Sequence, residues 1–486
     1  MRPIVRFLSD ELIEKIVSEA SDILCSLGVE IHNKNVLKML SSHGCKVNME
    51  TSHAVFTQQV IEKSLKIVPK SFKMFDTLGN QTHDFSDFNV YFTPGSTALN
   101  IVDSKSRKMR KANTTDYIHF VKVTDQLEHI AALSTAIISA DVPQQISDSY
   151  RLFLSLLYSK KPVVTGAFTI ESFEVMKDFQ VAIRKSEKTL REKPLTIFSI
   201  CPTSPLKWSE VTSQNLLDCA KYFIPVEFIA MPLSGFIAPV TLVGTLVQHT
   251  AETLSGVVIS QLASPGCPVL YGGSPAIFDI RFETTPMGAI ETMMIDCAYN
   301  EIGKFLKIPT QAYISLSDAK QLDAQAGIET GLGAALAALS GINSVSGPGM
   351  LDFESCLSLE KLVLDNEICG MSYHMIAGIE PKEDFPALPI FQELLKERNL
   401  IIADHTRKYI KSEIYTTGPA IDRKNRSRWE RDGSLSLFER AGIEVDKLLK
   451  SYKPYDLPED TKQQLIKLME AEARRYKLGV LPVRPQ

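Results

Sequence analysis

The strongest constraint on what this chain can fold into is a rhythm. Eight short apolar runs begin near Asn89, Ile130, Pro162, Pro194, Pro225, Pro268, Pro309 and Ile342, reading NVYF, IAALSTAI, PVVTGAF, PLTIFSI, PVEFIAM, PVLYGG, PTQAYISL and INSVSG. They recur roughly every 30–45 residues, the length of a strand–helix unit. Segments with helical spacing lie between them, at 114–129, 147–160, 171–187, 208–223, 240–263, 286–306, 321–340 and 357–376. The runs are apolar almost throughout instead of alternating, as expected for strands buried on both faces. Five open on proline, which is tolerated at the first residue of a strand. Eight strands, each followed by a helix, predict an α/β fold: a closed (β/α)8 TIM barrel. The alternative is an open doubly wound sheet, whose usual GxGxxG phosphate fingerprint is missing. Helix starts support the register: Thr285-Pro286 sets a capping hydroxyl before a proline, and Ser358 precedes Glu360.

The flanks read differently. Ile13, Ile16, Val17, Ala20 and Ile23-Leu24 recur at helical spacing before Gly28, and further helices are expected at Lys34–Ser42 and near Gln58–Ile67. Residues 70–110 read as strands and turns. Beyond Pro381 come charged helices, Gly/Ser turns and the basic run Asp422–Arg428, a solvated surface or a dock for an acidic partner. The expected organisation is an N-terminal mainly helical region at 1–85, the barrel at 86–384 and a C-terminal mainly helical extension at 385–486.

With 44% hydrophobic residues over 486, the chain has enough apolar content for a large core. Its net charge of −4 gives no reason to expect nucleic acid. No stretch approaches the ~18 apolar residues of a membrane span, and no export signal is read at the N-terminus, so a cytoplasmic protein is expected. The eight cysteines are scattered without CxxC pairs and read as reduced thiols acting as small core residues. HExxH, GxxxxGK[ST] and GxSxG are absent, and no protein-bound metal is expected.

In such a barrel the site lies at the C-terminal strand ends. Those ends read Thr93-Pro94-Gly95-Ser96, Thr165-Gly166-Ala167-Phe168, Cys201-Pro202-Thr203, Met231-Pro232-Leu233-Ser234, Tyr271-Gly272-Gly273-Ser274, Ser315-Leu316-Ser317-Asp318 and Ser346-Gly347-Pro348-Gly349. They are rich in Gly, Pro and hydroxyls; only Asp318 is immediately suggestive as an acid, with Asp352 and Glu354 further on. Two catalytic carboxylates, as in a glycosidase, would put Asp or Glu at two strand ends. Each loop taken singly also reads as ordinary turn chemistry. His249 and Glu252, inside an apolar helix, read as packing or helix-surface residues.

Several segments carry a resemblance: Tyr91-Phe92-Thr93-Pro94-Gly95-Ser96, Tyr271-Gly272-Gly273-Ser274-Pro275, Ser317-Asp318-Ala319-Lys320, Leu322–Glu329 and Gly347-Pro348-Gly349-Met350-Leu351-Asp352. With Ser358–Ile368 they resemble the trimethylamine methyltransferase family. The resemblance implies a barrel enzyme that moves a methyl group from a methylated amine to the cobalt of a separate corrinoid protein. The trimethylamine enzymes carry pyrrolysine, whose counterpart is looked for around Ala324–Gly327. Only the twenty standard residues occur here, so the chain resembles the non-pyrrolysine branch, whose substrates are quaternary amines such as glycine betaine. Corrinoid would arrive on the cognate partner, because no DxHxxG motif surrounds His129, His249 or His374. Self-association into a homo-oligomer is also implied.

Demethylating a quaternary ammonium releases a neutral amine, so no general acid is required. On that resemblance the nucleophile would be cobalt, as Co(I), brought by the partner, so no activated Ser or Cys is needed. The chain's tasks reduce to alignment and exclusion of water. A quaternary ammonium suits aromatic faces, at ~0.5–2 kcal/mol per ring. Candidate rings are Tyr91, Phe92, Phe168, Tyr271, Tyr313 and Phe353; neighbours on a strand point oppositely, so at most one of Tyr91 and Phe92 faces inward. Asp318 or Glu354 would supplement the cage, and Asp318 and Ser346 are the candidates for action at the reacting centre. A betaine carboxylate would need Arg281, Lys320, Ser346 or amides after Gly347. Gly272, Gly273, Ser274, Gly347 and Gly349 are the candidates for facing the corrinoid. Other readings remain: a barrel lyase acting without cobalt, or a non-catalytic betaine-binding barrel.

Overall fold

The computed structural model describes residues 1–478 and Leu481. Eight parallel strands are present: β1 (Tyr91–Thr93), β2 (Leu133–Ser134), β3 (Val163–Thr165), β4 (Thr196–Ile200), β5 (Val226–Phe228), β6 (Val269–Leu270), β7 (Gln311–Tyr313) and β8 (Ser344–Ser346). Each pairs with the next, β1 to β2 through the Phe92–Ile130 bridge and β6 to β7 through Tyr271–Thr310. β8 then pairs with β1, Val345 opposite Phe92, and the barrel closes. The open doubly wound alternative is thereby set aside.

The prolines show why they are tolerated at these strand starts. A proline has no N–H to donate, but its carbonyl still accepts. Pro162, Pro225, Pro268 and Pro309 receive the amides of Leu133, Phe198, Val226 and Tyr271 from the preceding strand.

The outer ring consists of α1 (Thr114–Gln126), α2 (Gln144–Tyr158), α3 (Ile170–Arg184), α4 (Glu210–Tyr222), α5 (Leu242–Ala263), α6 (Ile290–Phe305), α7 (Ala324–Ser340) and α8 (Leu359–Ala377). Ser358 caps α8 by accepting from the Lys361 amide. The expected start at Thr285-Pro286 is not used. The α6 helix begins at Ile290, because the amides of Met287 and Gly288 are held by the Asp318 carboxylate and the chain stays a loop there.

The helices Asp10–Ser26, Lys34–Ser42 and Gln58–Ile67 form as the spacing requires, and the first lies against α5. A hairpin, Lys73–Phe75 with Gln81–Asp84, closes the N-terminal end of the barrel. Its Met74 and the following Phe85 pack with Val164, Ile197 and Leu270 from the strands. At the other end, strands Asn100–Val102, Met109–Lys111, Met350–Leu351 and Cys356–Leu357 form a sheet joining the loops after β1 and β8. No described helix is long and apolar enough to cross a membrane.

Candidate active site

At the C-terminal end of the strands lies a cavity of ≈ 180 Å³, walled by Ser96, Thr135, Arg151, Phe168, Ser199, Cys201 and Tyr313 among others. Its chemistry comes from groups on opposite sides.

On one side are two carboxyl groups. Glu227 sits in the middle of β5 with its side chain inside the barrel, wholly buried. Ser199 Oγ donates to its Oε1 at 2.7 Å, while Oε2 has no partner. Glu354 arrives by an unusual turn. Asp352, Phe353 and Glu354 all have left-handed backbones, φ 51°, 54° and 65°. Such a conformation costs roughly 1–2 kcal/mol per non-glycine residue. The sheet strands on either side hold the turn and direct Glu354 inward, where its Oε1 accepts from Ser96 N at 2.8 Å. Gly95 is required for this approach, since a Cβ there would lie 2.7 Å from the same oxygen.

Burial raises both acids. Glu227 is pushed up to about 7, its bond from Ser199 pulling back in part. Glu354 is pushed up to about 8 by burial, with the Ser96 amide opposing and the charge of Glu227 adding. Among the described residues no Lys, Arg or His pairs with either. Tyr313, at the end of β7, lies between them with its hydroxyl 3.1 Å from Ser96 Oγ. Cys201 opens onto the cavity beside the same acids; crowding and their charge push its thiol up to about 12. Cys201 is thus a residue of the cavity wall, where a core role is expected of every cysteine.

The other side carries a fixed cation. Arg151 on α2 is fully buried and pairs with Asp148 at 2.8 Å, while its Nη1 donates to Thr135 O at 2.7 Å. Asp148 also accepts from Phe168 N at 2.6 Å, and the guanidinium lies 5.6 Å from the Phe168 ring centroid.

The structure redistributes the expected aromatic cage. Tyr313 and Phe168 line the cavity. Tyr91 does face inward, but at the N-terminal end, where its ring is 4.4 Å from His83. Phe92 points outward, edge-on to Tyr373 of α8. Tyr271 is also outside the barrel, its hydroxyl donating to Thr250 Oγ1 of α5 at 2.9 Å. Phe353 has a cation over its face already, Lys320 Nζ at 3.8 Å.

The polar candidates divide similarly. Both Asp318 oxygens are taken by the amides of Met287 and Gly288, at 3.1 and 2.8 Å, so this acid, pushed up to about 6 by burial, ties two loops together. Ser346 is buried with its hydroxyl unpartnered. Arg281 is exposed and closed on Asp279 at 2.6 Å, and Lys320 is paired with Asp352 at 3.4 Å; neither lines the cavity. The amides of Gly273, Ser274, Gly347 and Gly349 are committed to Gln311 Oε1, Ala230 O, Thr93 O and Asp365 Oδ2. The expected ligand-facing role of these amides therefore gives way to holding the mouth together. Gly272 allows close packing, since a Cβ there would meet Gln311 Oε1 at 2.4 Å. Ala324–Gly327 is the first turn of α7, capped by Asp323. His249 stacks on Tyr299 at 4.3 Å and bonds to Gly272 O, and Glu252 holds Ser204 and Leu206; both are packing residues.

Glu227 and Arg151 escaped the sequence reading, and Cys201 entered it only as part of a strand end. For Glu227 a signal existed: it is the one Asp, Glu, Lys, Arg or His in the eight apolar runs. The mouth is less poor in acids than its wording suggests.

Comparison with known proteins places this geometry. The family model described as trimethylamine methyltransferase (MTTB) matches residues 1–477. Trimethylamine methyltransferase MttB of Methanosarcina thermophila is 30% identical over 461 residues, 93% of this chain and 95% of that protein. Its counterpart from Desulfitobacterium hafniense (strain DSM 10664 / DCB-2) is 27% identical over 468 residues, 96% and 94% of the two chains. A glycine betaine methyltransferase from D. hafniense (strain Y51) is 27% identical over 456 residues, 93% and 94%. Among solved structures, the Methanosarcina barkeri monomethylamine methyltransferase superposes with a TM-score of 0.50 at 10% identity, covering 98% of this chain and 89% of that one. That last likeness bears on the fold alone.

Proposed function

The chain belongs to the trimethylamine methyltransferase family and is a methyltransferase, and on that premise we propose that it moves a methyl group from a quaternary amine, glycine betaine or a related betaine, to the Co(I) corrinoid of a separate corrinoid protein. The observation that carries this reading is the pair of carboxyl groups behind the cavity wall, Glu227 buried on Ser199 and Glu354 half-buried on Ser96, neither with a protein cation beside it among the described residues. A buried carboxylate is costly to ionise unless paired, and a substrate ammonium would supply the missing cation. Tyr313 adds an aromatic face to the same end. The opposite wall, with Arg151 and the hydroxyls of Thr135 and Thr165, receives the carboxylate of a zwitterion. A betaine thus fits with its ammonium against the acids and its carboxylate against Arg151. The glycine betaine methyltransferase among the relatives supports the same substrate class.

The chain's own work is then to hold the N–CH3 bond still, facing the open mouth, and to exclude water. The corrinoid supplies the nucleophile when its carrier protein docks. The rim suits a flat apolar group: Phe236, Val240, Ile280 and Phe282 of the loops after β5 and β6 are 64–77% exposed. Phe236 is stacked on Phe278, with ring centroids 4.8 Å apart. The eight free thiols fit a cytoplasmic setting.

Self-association is assigned to a different face. Helices Leu388–Glu397 and Asp404–Glu413 have no buried residue, yet Leu388, Phe391, Leu395, Ile401, Ile402 and Ile410 stand exposed along this segment. Together they offer apolar area on the order of several hundred Å², near the ~800 Å² per partner of a standard interface. The segment follows α8, whose C-terminus lies at the end of the barrel away from the mouth, so a second copy can cover it without blocking the corrinoid protein.

The test is incubation with cob(I)alamin and a panel of betaines. Methylcobalamin should form with one of them. Tight betaine binding by calorimetry without any methylcobalamin would instead favour a non-catalytic binding barrel.

A further inference from the structure

Two acids without a cation partner, one buried and one half-buried, raise the question of what they do when no substrate is present. Glu227 is completely buried, with one oxygen bonded to Ser199 and the other bare. Glu354 is held by a single backbone amide. The groups facing them from the other elements give no positive charge. From β4 come Ser199 and Cys201, from β7 Tyr313, and from the loop after β1 Ser96. Lys320, the nearest lysine along the Glu354 loop, is turned to Asp352 and the face of Phe353. Arg151, on the far wall, is paired with Asp148 and stands on the opposite side of the cavity.

Two ionised carboxylates so placed, one wholly buried and neither facing a cation, are unfavourable; like charges sharing a site are relieved by taking up a proton. Entry of a permanent cation reverses the balance. We propose that the empty site keeps a proton on the Glu227–Glu354 pair, releases it to solvent when a quaternary ammonium binds, and takes it back when the neutral amine leaves. This rests on the quaternary-amine reading above. The balance is simple: a carboxylic O–H gives H⁺ to solvent and becomes the carboxylate facing N⁺. After methyl transfer the nitrogen holds a lone pair and no charge, and the carboxylate recovers H⁺ from solvent. The site itself is returned to its starting protonation state; the released amine takes its own proton from solvent.

The carboxylate is thus made by the substrate's arrival, and the permanent charge that keeps it ionised is gone once the methyl has been transferred.

The experiment is isothermal titration of the full-length protein with glycine betaine and with tetramethylammonium, at pH 7, in buffers of different ionisation enthalpy. A plot of observed enthalpy against buffer ionisation enthalpy should show release of close to one proton per ligand. Affinity should strengthen up to about tenfold per pH unit below the apparent pKa of the pair and level off above it. Glu354→Gln should bind with a reduced proton release while its circular dichroism stays unchanged, an effect a purely structural role would not produce. Binding with no proton release, at an affinity flat from pH 6 to 9, would overturn the proposal and leave the quaternary-amine reading standing. Failure of every quaternary ammonium to bind would overturn both.

Discussion

Ser199 Oγ donates to Glu227 Oε1 at 2.7 Å, and Glu227 Oε2, equally buried, has nothing to accept from. A neighbouring strand thus fixes one half of the carboxylate and leaves the other unpaired. Glu227→Gln keeps the shape and the Ser199 contact but removes the charge. Affinity for glycine betaine should fall roughly 10- to 100-fold, the range for a charge-assisted contact in a buried site, with the melting temperature little changed. Calorimetry and a thermal melt check this, and unchanged affinity would count against the site.

Tyr313 and Tyr271 provide a contrast between a ring in the cavity and one outside it. Tyr313→Ala should weaken quaternary-ammonium binding about tenfold, the upper part of the cation–π range. Tyr271 is buried against α5, with its hydroxyl on Thr250. Tyr271→Ala should instead destabilise the fold by about 3–5 kcal/mol, as large aromatic truncations do, with binding preserved in the folded fraction. Paired melts and titrations of the two variants separate these effects.

At the rim, Phe282 is 71% exposed and distant from any role in holding substrate. Phe282→Asp should raise the KM for the corrinoid protein several-fold, because a charge in the apolar part of an interface is left desolvated. Calorimetric affinity for glycine betaine should stay the same. A variant that lost betaine affinity would place this loop in the substrate site instead.

The helical segment 388–413 gives a prediction about assembly. Phe391→Asp and Leu395→Asp place charge on its exposed apolar face. Light scattering should find a multimer for the parent chain and a smaller species for the double variant, with methyl transfer retained per chain. An unaltered mass would show that this face meets something else.

Much of the barrel was legible for a physical reason. Strands buried on both faces must be apolar, so Val163-Val164-Thr165 or Thr196–Ile200 is visible without a partner. The site was legible only in part. Strand alternation limits Tyr91 and Phe92 to one inward ring, but only the Lys73–Asp84 hairpin decides that Tyr91 ends up in a plug and not a pocket. Tyr271 sits next to the strand-end glycines, yet its parity turns it towards α5. Glu354 reaches the cavity through three consecutive left-handed residues, a turn with no glycine to mark it. Arg151 and Asp148 lie on a helix, where nothing in the strand wording points to them. The alternate Thr285-Pro286 helix start fails because a distant carboxylate, Asp318, captures the amides that would begin it.

The raised acids also predict a pH dependence of stability. Glu354 is pushed up to about 8 and Glu227 to about 7, from an ordinary value of 4.5. Between those values the folded chain holds protons that the unfolded chain has given up. Their contribution to stability is complete below about pH 4.5 and is lost as pH rises through 7 for Glu227 and 8 for Glu354. Lys161 and Lys304, both pushed down to about 7 by burial, act with the opposite sign over the range above 7. The informative quantity is therefore the difference between the parent chain and Glu354→Gln, which lacks one raised acid and keeps both lysines. From pH 5 to 9 the parent's melting temperature should fall a few degrees further than the variant's. Saturating glycine betaine should restore most of that difference at pH 9, because the ammonium then pairs the ionised carboxylates. Parallel curves for the two proteins would mean that Glu354 is already charged near pH 5 in the folded chain.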